Sequence, residues 1–340
     1  QLRADLPLAA ARERFEAGKR IGALAPTPAA GIAWMTARLA ADMSRDKPVP
    51  LALTMGRIAT FLDPTLDAAW LITGDVLARG GKGDAALAAY AHIGPTDPMA
   101  PVANIRRAQV LQGLDRSKAA GELLVAATVA PGAGIDDWTR LGDWHRAEER
   151  LTDAVTAYDK ALALAPPRDP ALWAYYFQRG SAREQAGDWA GAESDLRRAL
   201  ELAPNEPIVL NYLGYSLLDR GLRLAEAQAL IERAAAVKPD DGSVLDSLGW
   251  AYFRSGQYAK AVPELERAVA AQPGDPTINE HLGDAYWRVG RQLEARFRWR
   301  AALDLEPTAK QKALLAAKLD YGLDVALALA PTAPPATPKK

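Results

Sequence analysis

Between Gly242 and Pro273 the chain reads GSVLDSLGWAYFRSGQYAKAVPELERAVAAQP, and its apolar and small positions follow a fixed order. Leu248, Gly249 and Tyr252 sit on one helical stretch. A break at Gly256 follows, and Ala261, Leu265 and Ala268 mark a second stretch that closes at Pro273. Three- and four-residue spacing puts such positions on one face of a helix, so the pattern predicts two amphipathic helices packed as a hairpin. The same order recurs along the chain. Closing positions fall at Pro64, Pro98, Gly132 and Pro166, then at Pro204, Pro239, Pro273 and Pro307. Most steps are 34 residues; Pro167–Pro170 lengthens one by four, and a residue near Leu224 lengthens another by one.

Small residues hold the same register. The first helix of each repeat carries Ala40, Gly74, Ala108, Gly142, Gly180, Gly214, Gly249 and Gly283, and the second carries Ala52, Ala86, Ala120, Ala154, Ala192, Ala227, Ala261 and Ala295. Two antiparallel helices approach closely only where side chains are small. A self-similar period of this length is the mark of a solenoid. The order Leu-Gly-x-x-Tyr, then Ala and a later Ala before a proline, resembles the tetratricopeptide repeat, over roughly residues 33–309. The resemblance implies an all-α, right-handed solenoid of antiparallel helix pairs, about eight repeats with a C-terminal capping helix. Wording such as LNYLGYSLLDRG at 210–221 is similar to bacterial members of the family.

The register divides the chain into an N-terminal helix, cap or half repeat over 1–32, degenerate repeats over 33–134 and well-formed repeats over 135–309. A capping helix over 310–330 and a disordered Pro/Ala-rich tail over 331–340 complete it. In repeat three, Asn104 and Arg107 stand where Trp and Leu are usual, and Ile93-Gly94 shortens the second helix of repeat two. Residues 5–24 read as one amphipathic helix that ends at Pro26-Thr-Pro28. The start at Gln1 reads as a mature form or an excised fragment.

Composition narrows the chemistry. A formal net charge of −1 gives no global field for nucleic acid, and the absence of cysteine removes disulfides and thiolate chemistry. No run of 18 apolar residues is present to span a bilayer. His92, His145 and His281 lack metal-ligand spacing, and His145 falls at a packing position of its repeat. Gly80-Gly-Lys-Gly83 lacks the spaced glycine and Lys-Ser/Thr pair of a phosphate loop and falls at a turn between helices. Asp136-Asp137 and Asp240-Asp241 precede helices as caps. The basic run Arg288 to Arg300 is interleaved with Phe297 and Trp299, but Trp299 takes the inter-helix position of Leu265 one repeat earlier, so it is core. No active site, cofactor site or nucleic-acid surface emerges.

The resemblance implies that first helices line a concave face that takes extended or helical peptides. Carrying the family's groove offsets onto this chain selects Asn211 and Tyr215, then Asp246, Trp250, Phe253 and Arg254, then Glu280, Asp284, Trp287 and Arg288. The corresponding N-terminal positions, among them Leu71, Asp75, Arg79 and Gln109, are more polar and less distinctive. Large aromatics outside the packing set mark binding surfaces; the competing reading is that some of them, Trp287 and Trp250 among them, pack on a neighbouring helix or under the C-terminal cap. The Lys/Asn set with which chaperone-binding members grip a C-terminal carboxylate is missing. The expected function is a non-enzymatic scaffold or adaptor binding a polypeptide over 207–290, periplasmic or envelope-associated, with a cytoplasmic location and self-association left open. The alternative is the repeat portion of a larger enzyme or secretion component.

Overall fold

The computed structural model describes Gly18 and residues 27–44, 50–130 and 132–329. The helix expected over 5–24 and the tail expected from 331 lie outside those residues. Among the described residues there are eighteen helices and no strand. They belong to two compact units, Gln1–Leu164 and Ala165–Lys340.

The N-terminal unit comprises α1 (Pro28–Met43), α2 (Pro50–Leu62), α3 (Asp67–Arg79), α4 (Gly83–Tyr90), α5 (Ala100–Gly113), α6 (Ser117–Val129), α7 (Ile135–Ala147) and α8 (Leu151–Leu164). The C-terminal unit comprises α9 (Leu172–Gln185), α10 (Trp189–Leu202), α11 (Pro207–Asp219), α12 (Leu224–Val237), α13 (Gly242–Arg254), α14 (Tyr258–Ala271), α15 (Pro276–Arg288), α16 (Gln292–Asp304), α17 (Ala309–Tyr321) and α18 (Leu323–Leu329). Consecutive helices pair as hairpins, α1 with α2 through α15 with α16. Within the C-terminal unit the first helices also touch one another, α11 with α13 and α13 with α15, so their outer faces form one surface. The segment expected as a single helix after Pro307 is two helices. Gly322, at φ +82°, ends α17 in a backbone region that disfavours a side chain, and α18 restarts beyond it.

Local signals account for the helix ends. Asp241 accepts the Ser243 and Val244 N–H groups at 3.0 and 3.2 Å, and Asp275 does the same for Thr277 and Ile278 at 2.8 and 3.0 Å. These bonds satisfy donors that the first turn leaves orphaned. The shortened helix of repeat two is observed: α4 stops at Tyr90, ahead of Ile93-Gly94.

In five of the repeats the glycine of the first helix receives a large side chain of its partner helix. A Cβ on Gly74 would lie 2.3 Å from the Tyr90 ring, one on Gly142 2.6 Å from Tyr158, and one on Gly283 2.5 Å from Trp299. In these three repeats the residue after the glycine is an aspartate, and it receives the polar tip of that ring. Tyr90 donates to Asp75 at 2.7 Å, Tyr158 to Asp143 at 2.7 Å, and Trp299 to Asp284 at 2.9 Å. A buried ring with a polar tip needs such an acceptor. Repeats six and seven are built differently. Gly214 faces Ile231 and Gly249 faces Leu265, at 2.6 and 2.5 Å from a Cβ. Aliphatic partners need no acceptor, and the following residue is an aromatic, Tyr215 or Trp250.

Gly283→Ala therefore places a methyl inside the fully buried Trp299 indole. The expected cost is about 1–3 kcal/mol, as for other overpacked cores, read as a lowered denaturation midpoint at unchanged helix content.

Candidate functional site

The ten residues selected from sequence lie on α11, α13 and α15 of the C-terminal unit, and the structure divides them. Asn211, Tyr215 and Asp246 line a cavity of about 430 Å³ together with Asp219, Ser243 and Thr277. The Asn211 side-chain oxygen is buried there without a hydrogen-bond partner among the described residues. The Tyr212 hydroxyl donates to Glu184 at 2.6 Å, and Glu184 also holds Arg220 at 2.8 Å. Burial, then the Asp246 and Asp219 carboxylates, pushes the Tyr215 phenol up to about 12, so it stays neutral and able to donate.

Trp250 and Phe253 lie on α13, the helix that also carries Asp246. Their rings stack at 4.6 Å and 6°, and Trp250 also stacks on His281 at 3.9 Å and 10°. His281 Nδ1 is 2.9 and 3.1 Å from the two Asp246 oxygens. Arg254, one residue beyond Phe253, is exposed. The sequence reading missed His281. It follows Glu280, the equivalent of Asp246 one repeat later, and that one-residue offset turns it back toward α13. Burial opposes the charged imidazole, but Asp246, aided by Asp284 and Glu280, outweighs it and raises the His281 pKa. A raised folded-state value stabilises the fold below the unfolded pKa, near 6.5, and that contribution is lost as pH rises through the folded value. NMR titration should find His281 titrating above the ordinary histidine range and moving back toward it in Asp246→Asn.

The remaining four residues are committed to the C-terminal helices rather than to an open groove. Lys318 of α17, with its side chain 1% exposed, reaches Glu280 at 2.6 Å and Asp284 at 2.8 Å. Asp284 thus serves both the lysine and Trp299. Burial raises the Asp284 pKa, and Lys318 opposes that shift. Trp287 packs under Gly322, where a Cβ would lie 2.4 Å from its ring, and its ring centroid is 5.3 Å from that of Trp299. Arg288 pairs with Asp324 of α18 at 2.6 Å. Glu280, Asp284, Trp287 and Arg288 keep the groove offsets of the pattern, but the helices after Pro307 cover them. His145, expected as a packing residue, is 14% exposed at its side chain and lies 4.9 Å from Trp144.

Lys318→Met leaves two carboxylates buried without their cation. Breaking a buried pair in this way costs about 3–5 kcal/mol. Hydrogen exchange should show α17 and α18 losing protection first, with α11 and α13 retaining theirs.

The sequence model of the tetratricopeptide repeat matches residues 133–308, and the chain belongs to this family. A TPR repeat-containing protein of Pseudomonas aeruginosa is 33% identical over 177 residues, which is 52% of this chain and 29% of that protein. The cytochrome c-type biogenesis protein CycH of Rhizobium meliloti is 36% identical over 110 residues, 32% of this chain and 28% of its own. The chain thus spans less than a third of the length of either curated relative. The crystal structure of a tetratricopeptide repeat protein from Parabacteroides merdae superposes with a TM-score of 0.58, covering 75% of this chain and 97% of that one at 14% identity, and shares the fold. Repeats of this family act in protein–protein interaction and are generally not catalytic. Among the described residues no helix is long and apolar enough to cross a membrane, and no group of three or more acidic or histidine side chains is arranged to hold a metal.

Proposed function

We propose that the chain is a non-enzymatic adaptor that holds a polypeptide segment against α11 and α13, with Asn211, Tyr215, Trp250, Phe253 and Arg254 as its contacts. One observation carries the reading. Tyr215 and Trp250 occupy the position that repeats two, four and eight give to a structural aspartate, and the aliphatic partners Ile231 and Leu265 free them from that duty. Aromatic side chains on a half-buried surface supply large contact area at little entropic cost and dominate binding energetics where they occur. The similarity to a cytochrome c-type biogenesis protein supports placing this adaptor in envelope assembly.

A second reading is that these repeats serve a larger protein with a catalytic part of its own. The chain's 29% share of the Pseudomonas relative favours it, and the complete reading frame decides between the two. The adaptor reading is tested by capturing partners from the native cell on the wild-type chain and titrating the purified partner against Tyr215→Leu and Trp250→Leu. Each substitution should weaken binding at least tenfold, about 1.4 kcal/mol or more, with circular dichroism unchanged. Full-strength binding by both variants would remove the site.

A further inference from the structure

Five charged side chains come together inside the C-terminal unit: Asp246 of α13, Glu280, His281 and Asp284 of α15, and Lys318 of α17. None is more than 7% exposed. Lys318 alone serves both Glu280 and Asp284, at 2.6 and 2.8 Å. Asp246 is left to His281, whose Nδ1 lies 2.9 and 3.1 Å from its two oxygens. No other cation pairs with Asp246 among the described residues. If His281 loses its proton, three buried carboxylates share a single cation. A buried carboxylate without a partner charge is costly, so the arrangement itself favours the protonated imidazole.

The protonated ring has a second neighbour. Trp250 of α13 stacks on it at a centroid separation of 3.9 Å and 10°, and on Phe253 at 4.6 Å and 6°. Trp250 itself is half-buried. A cation over the face of an indole is held by the ring quadrupole, an attraction that shifts an equilibrium about twofold to thirtyfold. A neutral imidazole forfeits it. The stack is therefore tied to the proton, and the proton to Asp246. Burial works against the charge, and Asp246, then Asp284 and Glu280, outweigh it. Around these groups stand Lys318, committed to its two carboxylates, the Arg288–Asp324 pair at 2.6 Å, and exposed Arg254 and Asp219. The Tyr215 phenol, pushed up to about 12 by burial and then by the Asp246 and Asp219 carboxylates, stays neutral.

We propose that His281 is a proton-controlled catch on Trp250. The imidazolium holds the indole against α15; without the proton, Trp250 keeps only the stack with Phe253 of its own helix and turns outward. The catch is closed below the His281 midpoint and opens as pH rises through it, the sign expected of a cation that the folded state stabilises. A partner that uses Trp250 would bind more tightly above the midpoint than below it, a consequence that rests on Trp250 being a contact of the adaptor.

The test uses the full chain with fluorotryptophan in place of tryptophan, followed by fluorine NMR from about pH 5 to about pH 9. The signal missing from Trp250→Phe is that of Trp250. It should move in one step whose midpoint coincides with that of the His281 imidazole protons, and its solvent isotope shift should grow above the step. Across the step the ratio of held to freed ring should change about twofold to thirtyfold. Asp246→Asn should lower both midpoints together, and His281→Gln should show the freed signal at every pH, with circular dichroism unchanged in each. The catch is overturned if the Trp250 signal ignores pH, if it steps at a midpoint other than that of His281, or if its solvent shift grows at low pH instead. No partner enters this measurement, so its failure leaves the adaptor reading in place. A partner that binds Trp250→Leu at full strength removes that reading and leaves the catch.

Discussion

Two helices of a pair can approach closely only where one presents a small side chain or none, and where that residue is glycine other features of the repeat follow from how the gap is filled. At Gly74, Gly142 and Gly283 an aromatic ring of the second helix enters it, and the next residue must then be an acceptor for a hydroxyl or indole N–H. At Gly214 and Gly249 an aliphatic side chain fills it instead, and the next position is released. A packing choice on the hidden side of a hairpin thereby sets which residue its outer face can offer. Tyr215 and Trp250 are released from the acceptor role because Ile231 and Leu265 ask nothing of them.

The C-terminal end obeys a different constraint. The outer surface of α15 would expose Glu280, Asp284 and Trp287 if the chain stopped at Pro307. Instead α17 brings Lys318 between the two carboxylates, and α18 brings Asp324 to Arg288. Burying three charges together is weak evidence for net stability, since desolvation offsets much of the Coulombic gain. It does hold α17 in position, because Lys318 pairs with both carboxylates at once. The same surface that continues the groove in α11 and α13 is thus sealed at α15, and the His281–Asp246 contact marks where the open part ends.

The two compact units carry concavities of unlike character. In the C-terminal unit the cavity is modest and lined mainly by polar residues; in the N-terminal unit it is larger, with apolar and charged residues interleaved. From sequence, the N-terminal positions look polar, because Asp75, Arg79 and Gln109 stand at the groove offsets. In the fold those charges are consumed locally, Asp75 by Tyr90 and Arg106, Arg79 by Ser44, and the apolar residues between them form the wall.

The helix pairs, their period, their turns and the core role of Trp299 were legible because they depend on spacing and side-chain size, which one chain displays eight times over. The site was legible only in part. Spacing alone placed Tyr215 and Trp250 on the same footing as Asp284, which holds the same offset after the repeat glycine, and Phe253 on the same footing as Trp287. Their fates differ through contacts made with residues far away in sequence: Lys318 with Glu280 and Asp284, Gly322 with Trp287, His281 with Trp250. A repeat pattern records what every hairpin needs for its own packing. Which outward-facing residues remain open depends on what the neighbouring helix places against them, and that was decided only when the helices stacked.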